Sequence, residues 1–309
     1  MRTRHVVVLL IVALAVGAAL YWRAPSMPAG SDGADTHVPH APVEAVQARR
    51  GEKFATAPSI PLPEGLFAAV RPELERRARD GDAKAALRLA RVLLNCHSFH
   101  PYTDAEIEDR VIDGLAHAGD APIVDGKPIP PDVLVDWMRG RMRAQRDLCA
   151  GTDPKDFTSN EVDAKAAVEL LLRAAKSGDT EAMIEYARSA LTQYLLPAQV
   201  IAHAETVKAI SRDAVQYLDA ALAAGDAEAL QAWSDEYQYG RLVQRDAVQA
   251  YAYLYAYAQS SKADDGDAWW RRLRLEQMRQ AMTQTQIDDA QRKAAALLAQ
   301  CCNGPVRAP

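Results

Sequence analysis

The stretch VQYLDAALAAGDAEALQAWSDEYQYGRLVQRDAVQAYAYLYAYA, residues 215–258, decides the fold. Its last eight residues place tyrosine or leucine at every second position, the period of a half-buried strand. The residues before them argue otherwise, because an alanine-rich stretch ends at Gly225-Asp226 and a second one follows at once. A glycine ending one helix takes the left-handed position, and the aspartate behind it caps the next. An alanine at a fixed offset then lets the two helices approach closely. The same signal recurs along the chain at Gly81, Gly119, Gly178, Gly225 and Gly266, with spacings of 38, 59, 47 and 41 residues. At Gly81, Gly178 and Gly225 it continues as Gly-Asp-x-x-Ala. The uneven spacing describes degenerate helical units with insertions, in which each unit shields its neighbour.

The unit at 215–258 resembles the Sel-one-like repeat, a relative of the tetratricopeptide repeat with a longer period. The family pattern falls on Ala221, Gly225, Ala229, Trp233, Tyr237, Gly240, Val243, Asp246 and Ala250. Two positions depart from it: Ser234 stands where the family has a helix-packing glycine, and Leu242 where it has a second loop glycine. The units at Gly81 and Gly178 match in one helix, with Leu89-Ala90 and Tyr186-Ala187 at the packing positions. The resemblance extends loosely over residues 74–299 and implies an all-α solenoid of helical hairpins. Within it, residues 251–258 form a helix, with Val248, Tyr251, Leu254, Tyr255 and Ala258 on a core face. Tyr253 and Tyr257 lie off that face, either packed on a neighbouring unit or free for a partner. With Tyr239 and Arg241, which flank Gly240, they are the candidate partner-binding residues.

Three other regions frame this domain, which is expected over residues 63–303. Arg2 and Arg4 precede an apolar run at 6–22 that closes on Tyr21, Trp22 and Arg23. Seventeen residues at ~1.5 Å each reach ~25 Å, so residues 1–24 read as a signal anchor with a cytoplasmic N-terminus, a cleaved signal peptide being the rival. Residues 25–62, rich in Pro, Ala, Gly and Ser, read as a disordered tether, and 304–309 as a tail. The repeat domain is then periplasmic.

Cys96, Cys149, Cys301 and Cys302 fit an oxidising compartment, and a Cys96–Cys149 bridge is expected. Cys301 and Cys302 either pair with each other or sit beside another partner. Thr103 with Glu106 and Thr283 with Gln286 mark helix starts, the second followed by Ile287, Ala290, Ala294 and Leu297 at helical spacing. No stretch argues for a strand.

Net charge is −5 without long single-sign blocks, which argues against a nucleic-acid partner. Cys96, His97 and His100 are close in sequence, but a half-cystine beside two histidines is the plainer reading than a zinc site. Asp264, Asp265 and Asp267 lack EF-hand spacing. On a helix Trp269 and Trp270 point ~100° apart, so at most one is fully buried, packed between repeats. No nucleotide, hydrolase or metalloprotease motif is present, and no cofactor, metal or catalytic residue is expected. The resemblance implies a non-catalytic protein-binding scaffold of the bacterial cell envelope. A polysaccharide- or peptidoglycan-binding module is the alternative, and a hydrolase the least supported reading.

Overall fold

The computed structural model describes residues 60–117, 122–124, 126–260 and 267–302. The expected anchor, nearly all of the tether, the tail, and the Gly-Asp sites at Gly119 and Gly266 lie outside the described residues. The twelve α-helices among the described residues are α1 Phe67–Arg79, α2 Ala83–Asn95, α3 Asp104–His117, α4 Pro131–Leu148, α5 Asn160–Lys176, α6 Thr180–Ser189, α7 Pro197–Ala202, α8 Ala204–Ala223, α9 Glu228–Tyr239, α10 Ala247–Gln259, α11 Ala268–Gln280 and α12 Gln284–Cys301. No helix among the described residues is long and apolar enough to cross a membrane.

Three hairpins, α1–α2, α5–α6 and α8–α9, turn through the same device. Gly81, Gly178 and Gly225 have φ of 95°, 92° and 85°. Each glycine donates to the carbonyl three residues back, and each following aspartate to the carbonyl five back: Asp82 to Arg77 at 2.9 Å, Asp179 to Ala174 at 3.4 Å and Asp226 to Ala221 at 3.1 Å. This is the Schellman pattern, which satisfies carbonyls that a helix end would otherwise leave unpaired. The aspartate side chains then accept from the start of the next helix, Asp82 from Ala85 N, Asp179 from Ala182 N and Asp226 from Glu228 N. Ala85, Ala182 and Ala229 are fully buried, so the alanine of each Gly-Asp-x-x-Ala lies where the helices press together.

Successive hairpins share a core. α2 packs on α5, α6 on α8, α9 on α10, and α10 on α12. Leu74, Leu171, Met183, Leu218, Leu230 and Leu254 are among the largest side chains wholly inside, each stabilising the fold by roughly 1.5–3 kcal/mol. One helix of the stack, α10, is the alternating Tyr/Ala stretch, and packing makes sense of the alternation. Ala250, Ala252 and Ala256 are buried where α9 and α12 come close, while the tyrosines fill the wider gaps. The single core face expected from sequence is too narrow. Tyr251 and Leu254 are buried, but Val248, Tyr255 and Ala258 only partly so, and Tyr257 is 2% exposed. With α9 on one side and α11 and α12 on the other, the helix has no broad solvent face.

Between α2 and α5 the chain makes a long excursion containing α3, α4 and two short strands. β1 (Ile123–Val124) pairs antiparallel with β2 (Lys127–Pro128), Ile123 opposite Pro128. Two residues per strand are too few to leave a period in the sequence, which is why none was legible. The excursion is pinched at its base by a Cys96–Cys149 disulfide, with Cα atoms 5.5 Å apart and 53 residues of separation. This closure lets α2 and α5 meet as directly as if a short loop joined them. The α3–α4 pair is tied by Arg139 to Glu108 and Arg146 to Asp104, each at 2.7 Å. No residue of α4 is buried. The far end of the excursion reaches α11, where Val124, Ile129, Trp269 and Leu273 form a small separate core with Trp137 against it. Trp269 is thus the buried member of its pair, packed on the excursion and not between repeats; Trp270 stays 40% exposed.

Both capping boxes form, Thr103 with Glu106 and Thr283 with Gln286. Cys301 and Cys302 are bonded to each other. Ahead of α1, Arg77 donates to the carbonyls of Ile60 and Pro61 and pairs with Asp82, and Arg88 donates to Pro63.

Candidate partner-binding site

Gly240 ends α9 in the left-handed conformation, φ 70°, and a Cβ there would meet Arg245 Cγ at 2.7 Å. The loop it opens is organised by a buried acid. Glu236, 1% exposed, pairs with Arg241 and accepts from Leu242 N at 3.2 Å. Burial pushes its carboxyl up, while Arg241 and the Leu242 N–H pull it back toward the charged form. Leu242, where the family has glycine, therefore contributes its backbone N–H to the loop. Asp246 closes the loop, its N–H donating to the Tyr237 carbonyl at 3.0 Å and its carboxylate capping α10 through Val248 N and Gln249 N. Val243 lies against the shared core. The other departure has an equally local reason: Ser234 is fully buried between α9 and α10 and donates to the Ala250 carbonyl at 2.8 Å. A serine is small enough for the contact, and its hydroxyl finds an acceptor across it.

The four candidate residues do not converge. Tyr257 is internal: its hydroxyl donates to Glu228, and Arg271 sits 5.4 Å over its ring, so it is not presented to a partner. Arg241 is held by Glu236 and by the Arg188 carbonyl at 3.2 Å. Tyr239 is 42% exposed at the end of α9, with its carbonyl taken by Arg245. Tyr253 stands apart from all three. Its ring lies 5.6 Å from Tyr237 and 5.9 Å from Trp233, and Trp233 lies 5.5 Å from Tyr237, which makes a triangular cluster of three rings bridging α9 and α10.

A residue not singled out in the sequence acts on two of these rings. Asp219 on α8 bears electrostatically on both Tyr237 and Tyr253, raising their phenol pKa values on top of the effect of burial. Its own carboxyl is pushed up to about 6, and burial is the sole cause. It has no hydrogen-bond or ion-pair partner among the described residues. A signal for it existed: Val215, Asp219 and Leu222 follow at i, i+4 and i+7, so a carboxylate occupies an apolar stripe. α8 and α10 both rest on α9 and scarcely touch each other. Tyr237 and Tyr253 are themselves only partly buried, where α9 meets α10.

The histidines near Cys96 are placed differently from a metal cluster. The Cys96 sulfur is taken by the disulfide, and His97 Nδ1 lies 3.1 Å from Asp163 Oδ2, which also accepts from Thr158 N.

No family model matches the chain, and no curated protein does. Among solved structures the chain is similar to a protective antigen present in uropathogenic Escherichia coli strains, described as displaying an SLR fold. The match has 16% sequence identity and a TM-score of 0.36, and covers 76% of this chain and 42% of that one. This chain therefore spans less than half of that structure's length, and a superposition this loose carries no argument. The hairpin-repeat architecture rests on the turns and packing of the chain itself.

Proposed function

We propose that the protein is a non-catalytic scaffold that binds a protein partner through the helix surfaces of its stacked hairpins. The carrying observation is the set of hairpins α1–α2, α5–α6 and α8–α9, turned by one Gly-Asp device and packed on a shared core. Repeats of this kind share one elongated core and leave helix surfaces free along their length, which suits them to binding extended segments. The domain belongs to the periplasm in this reading, held at the inner membrane by residues 6–22. The apolar run behind Arg2 and Arg4 and the Cys96–Cys149 bridge support that placement.

The test is a p-azidophenylalanine introduced in place of Tyr253 in the native host, with Val162, exposed on α5, as the comparison site. A discrete protein adduct from position 253 and none from 162 is expected. Retention on peptidoglycan without any protein adduct would overturn the scaffold in favour of a polysaccharide-binding module. Fractionation addresses the anchor separately: intact chain in the membrane fraction is expected, and a soluble periplasmic product lacking the first 22 residues would defeat it.

A further inference from the structure

From Ser189 to Ala204 the chain carries no aspartate, glutamate, lysine or arginine, in a protein of which 25% is charged. Side chains of that kind are ordinarily withdrawn from water, and here they are not. Every residue from 195 to 206 is exposed; Leu195, Leu196 and Ile201 keep 76%, 61% and 77% of their surface open, with Val200 beside them. Unequal helix lengths are the cause. α8 has 20 residues and α6, against which it packs, has 10, about 30 Å against about 15 Å. The side chains that α8 buries, Ala214, Leu218 and Ala221, all belong to its second half, and α7 buries none. The first turns of α8 and the whole of α7 therefore stand past the region where the hairpins cover one another. This overhanging tip still pairs its backbone. Gln199 N and Val200 N donate to the Leu196 carbonyl at 2.9 and 3.1 Å, and His203 N to the Gln199 carbonyl at 3.0 Å. Leu196 N donates to Gln199 Oε1 at 3.1 Å, and Pro197 has no N–H to satisfy. At the base of the tip the rings of Tyr194 and His203 lie 5.6 Å apart.

We propose that this tip, residues 194–203, enters the interfacial layer of a phospholipid bilayer, with Leu195, Leu196, Val200 and Ile201 as the inserted side chains. A segment without charge, whose backbone groups bond to one another, loses little when water is replaced by lipid. Its side chains are aliphatic and lack the Trp and Arg anchors in which protein interfaces concentrate their energy. Tyr194 and His203, rings with a polar end, stand at the base, where the headgroups would lie. The contact rests on the inner-membrane placement proposed above and adds a second point of attachment to it. Residues 23–59 lie between the apolar run and the first described residue, and at full extension they reach at most ~120 Å, so their length does not hold the tip off the bilayer. A chain already attached there makes the second contact within one molecule, so a small apolar surface is enough.

The experiment uses the full chain reconstituted into phosphatidylcholine vesicles, with one cysteine introduced for a nitrobenzoxadiazole label, the native cysteines being bonded in pairs. A phosphatidylcholine carrying a nitroxide near its headgroup quenches a label that touches lipid. The label on Ile201→Cys is expected to be quenched about threefold more than that on Val162→Cys, an exposed apolar site on α5, and high salt should leave the difference intact because no charge takes part. Leu195→Asp, added to the chain labelled at 201, sets a charge in the tip and is expected to remove at least half of the quenching. Quenching at 201 no greater than at 162, or undiminished by Leu195→Asp, would overturn the contact. A label on Leu20→Cys separates this failure from that of the anchor. Quenching at 20 without quenching at 201 leaves the anchor and removes the lipid contact, which is also the result for a tip covered by a protein partner. Quenching at 201 without quenching at 20 keeps the lipid contact and removes the anchor.

Discussion

The α8–α10 region and the α3–α4 excursion are both helical, and they hold their shape by different means. In the first, α10 is enclosed by three helices and its alanines and tyrosines interlock with them. In the second, α4 runs for 18 residues without burying one of them. Its position depends on a disulfide at one end, guanidinium–carboxylate pairs along its length and a tryptophan contact at the other. Packing makes a region rigid in all its parts, whereas closure at a few points fixes only where a segment begins and ends.

The sharpest way to break this comparison is to remove the closure. Replacing Cys96 and Cys149 together with serine frees a segment whose ends the bridge holds, and the chain-entropy relation sets the loss at about 4 kcal/mol. Denaturant unfolding should show that loss. Amide exchange should quicken first in α3 and α4 and leave α9 and α10 nearly unchanged; equal quickening everywhere would show that the two regions are not distinct. Inside the packed region, Glu236→Ala should cost about 2 kcal/mol, because it leaves the Leu242 N–H without its acceptor and releases Arg241 from the loop. Adding Arg241→Ala should recover part of that loss, and a strictly additive pair would mean the two side chains are uncoupled.

The third prediction has the opposite sign. The Asp219 carboxyl is raised to about 6 in the folded protein from its ordinary 3.8. A carboxyl raised by folding penalises stability above the folded value, and the penalty fades as pH falls through 6 toward 4. Asp219→Asn should therefore stabilise the protein at pH 7.5 by on the order of 2 kcal/mol, and hardly at all at pH 4. Melting curves at the two pH values check it; a destabilised variant at pH 7.5 would mean that the carboxylate has a structural partner.

The repeat turns were legible in the sequence because their causes are local. A left-handed glycine, an aspartate cap and a small residue one turn on all act within a few residues, so Gly81, Gly178 and Gly225 could be read singly. The same holds for both Thr-initiated capping boxes. The route of the excursion was not legible, since Trp269 meets Val124 and Ile129 only after the chain has folded back over a long separation. Tyr253 lies between these cases. Its angle on the helix is visible in the sequence, while the rings it meets, Trp233 and Tyr237 on α9, enter through tertiary approach. Tyr257 shared the same angle and proved internal, because Glu228 on α9 waits for its hydroxyl. Helical angle identifies which side chains leave the main core face, and the neighbouring helix decides where they go.

Arg77 and Arg88 give the domain a mechanical character. They grip the carbonyls of Ile60, Pro61 and Pro63, so the chain entering the domain is fastened at several points before it reaches α1. A pull on the chain at residue 60 would be shared among these bonds and passed through Arg77 to Asp82 at the hinge of the first hairpin. The load enters where two helices are already locked by a capped turn, which resists peeling better than a free helix end. A domain clamped in this way does not begin to unravel at its N-terminal end.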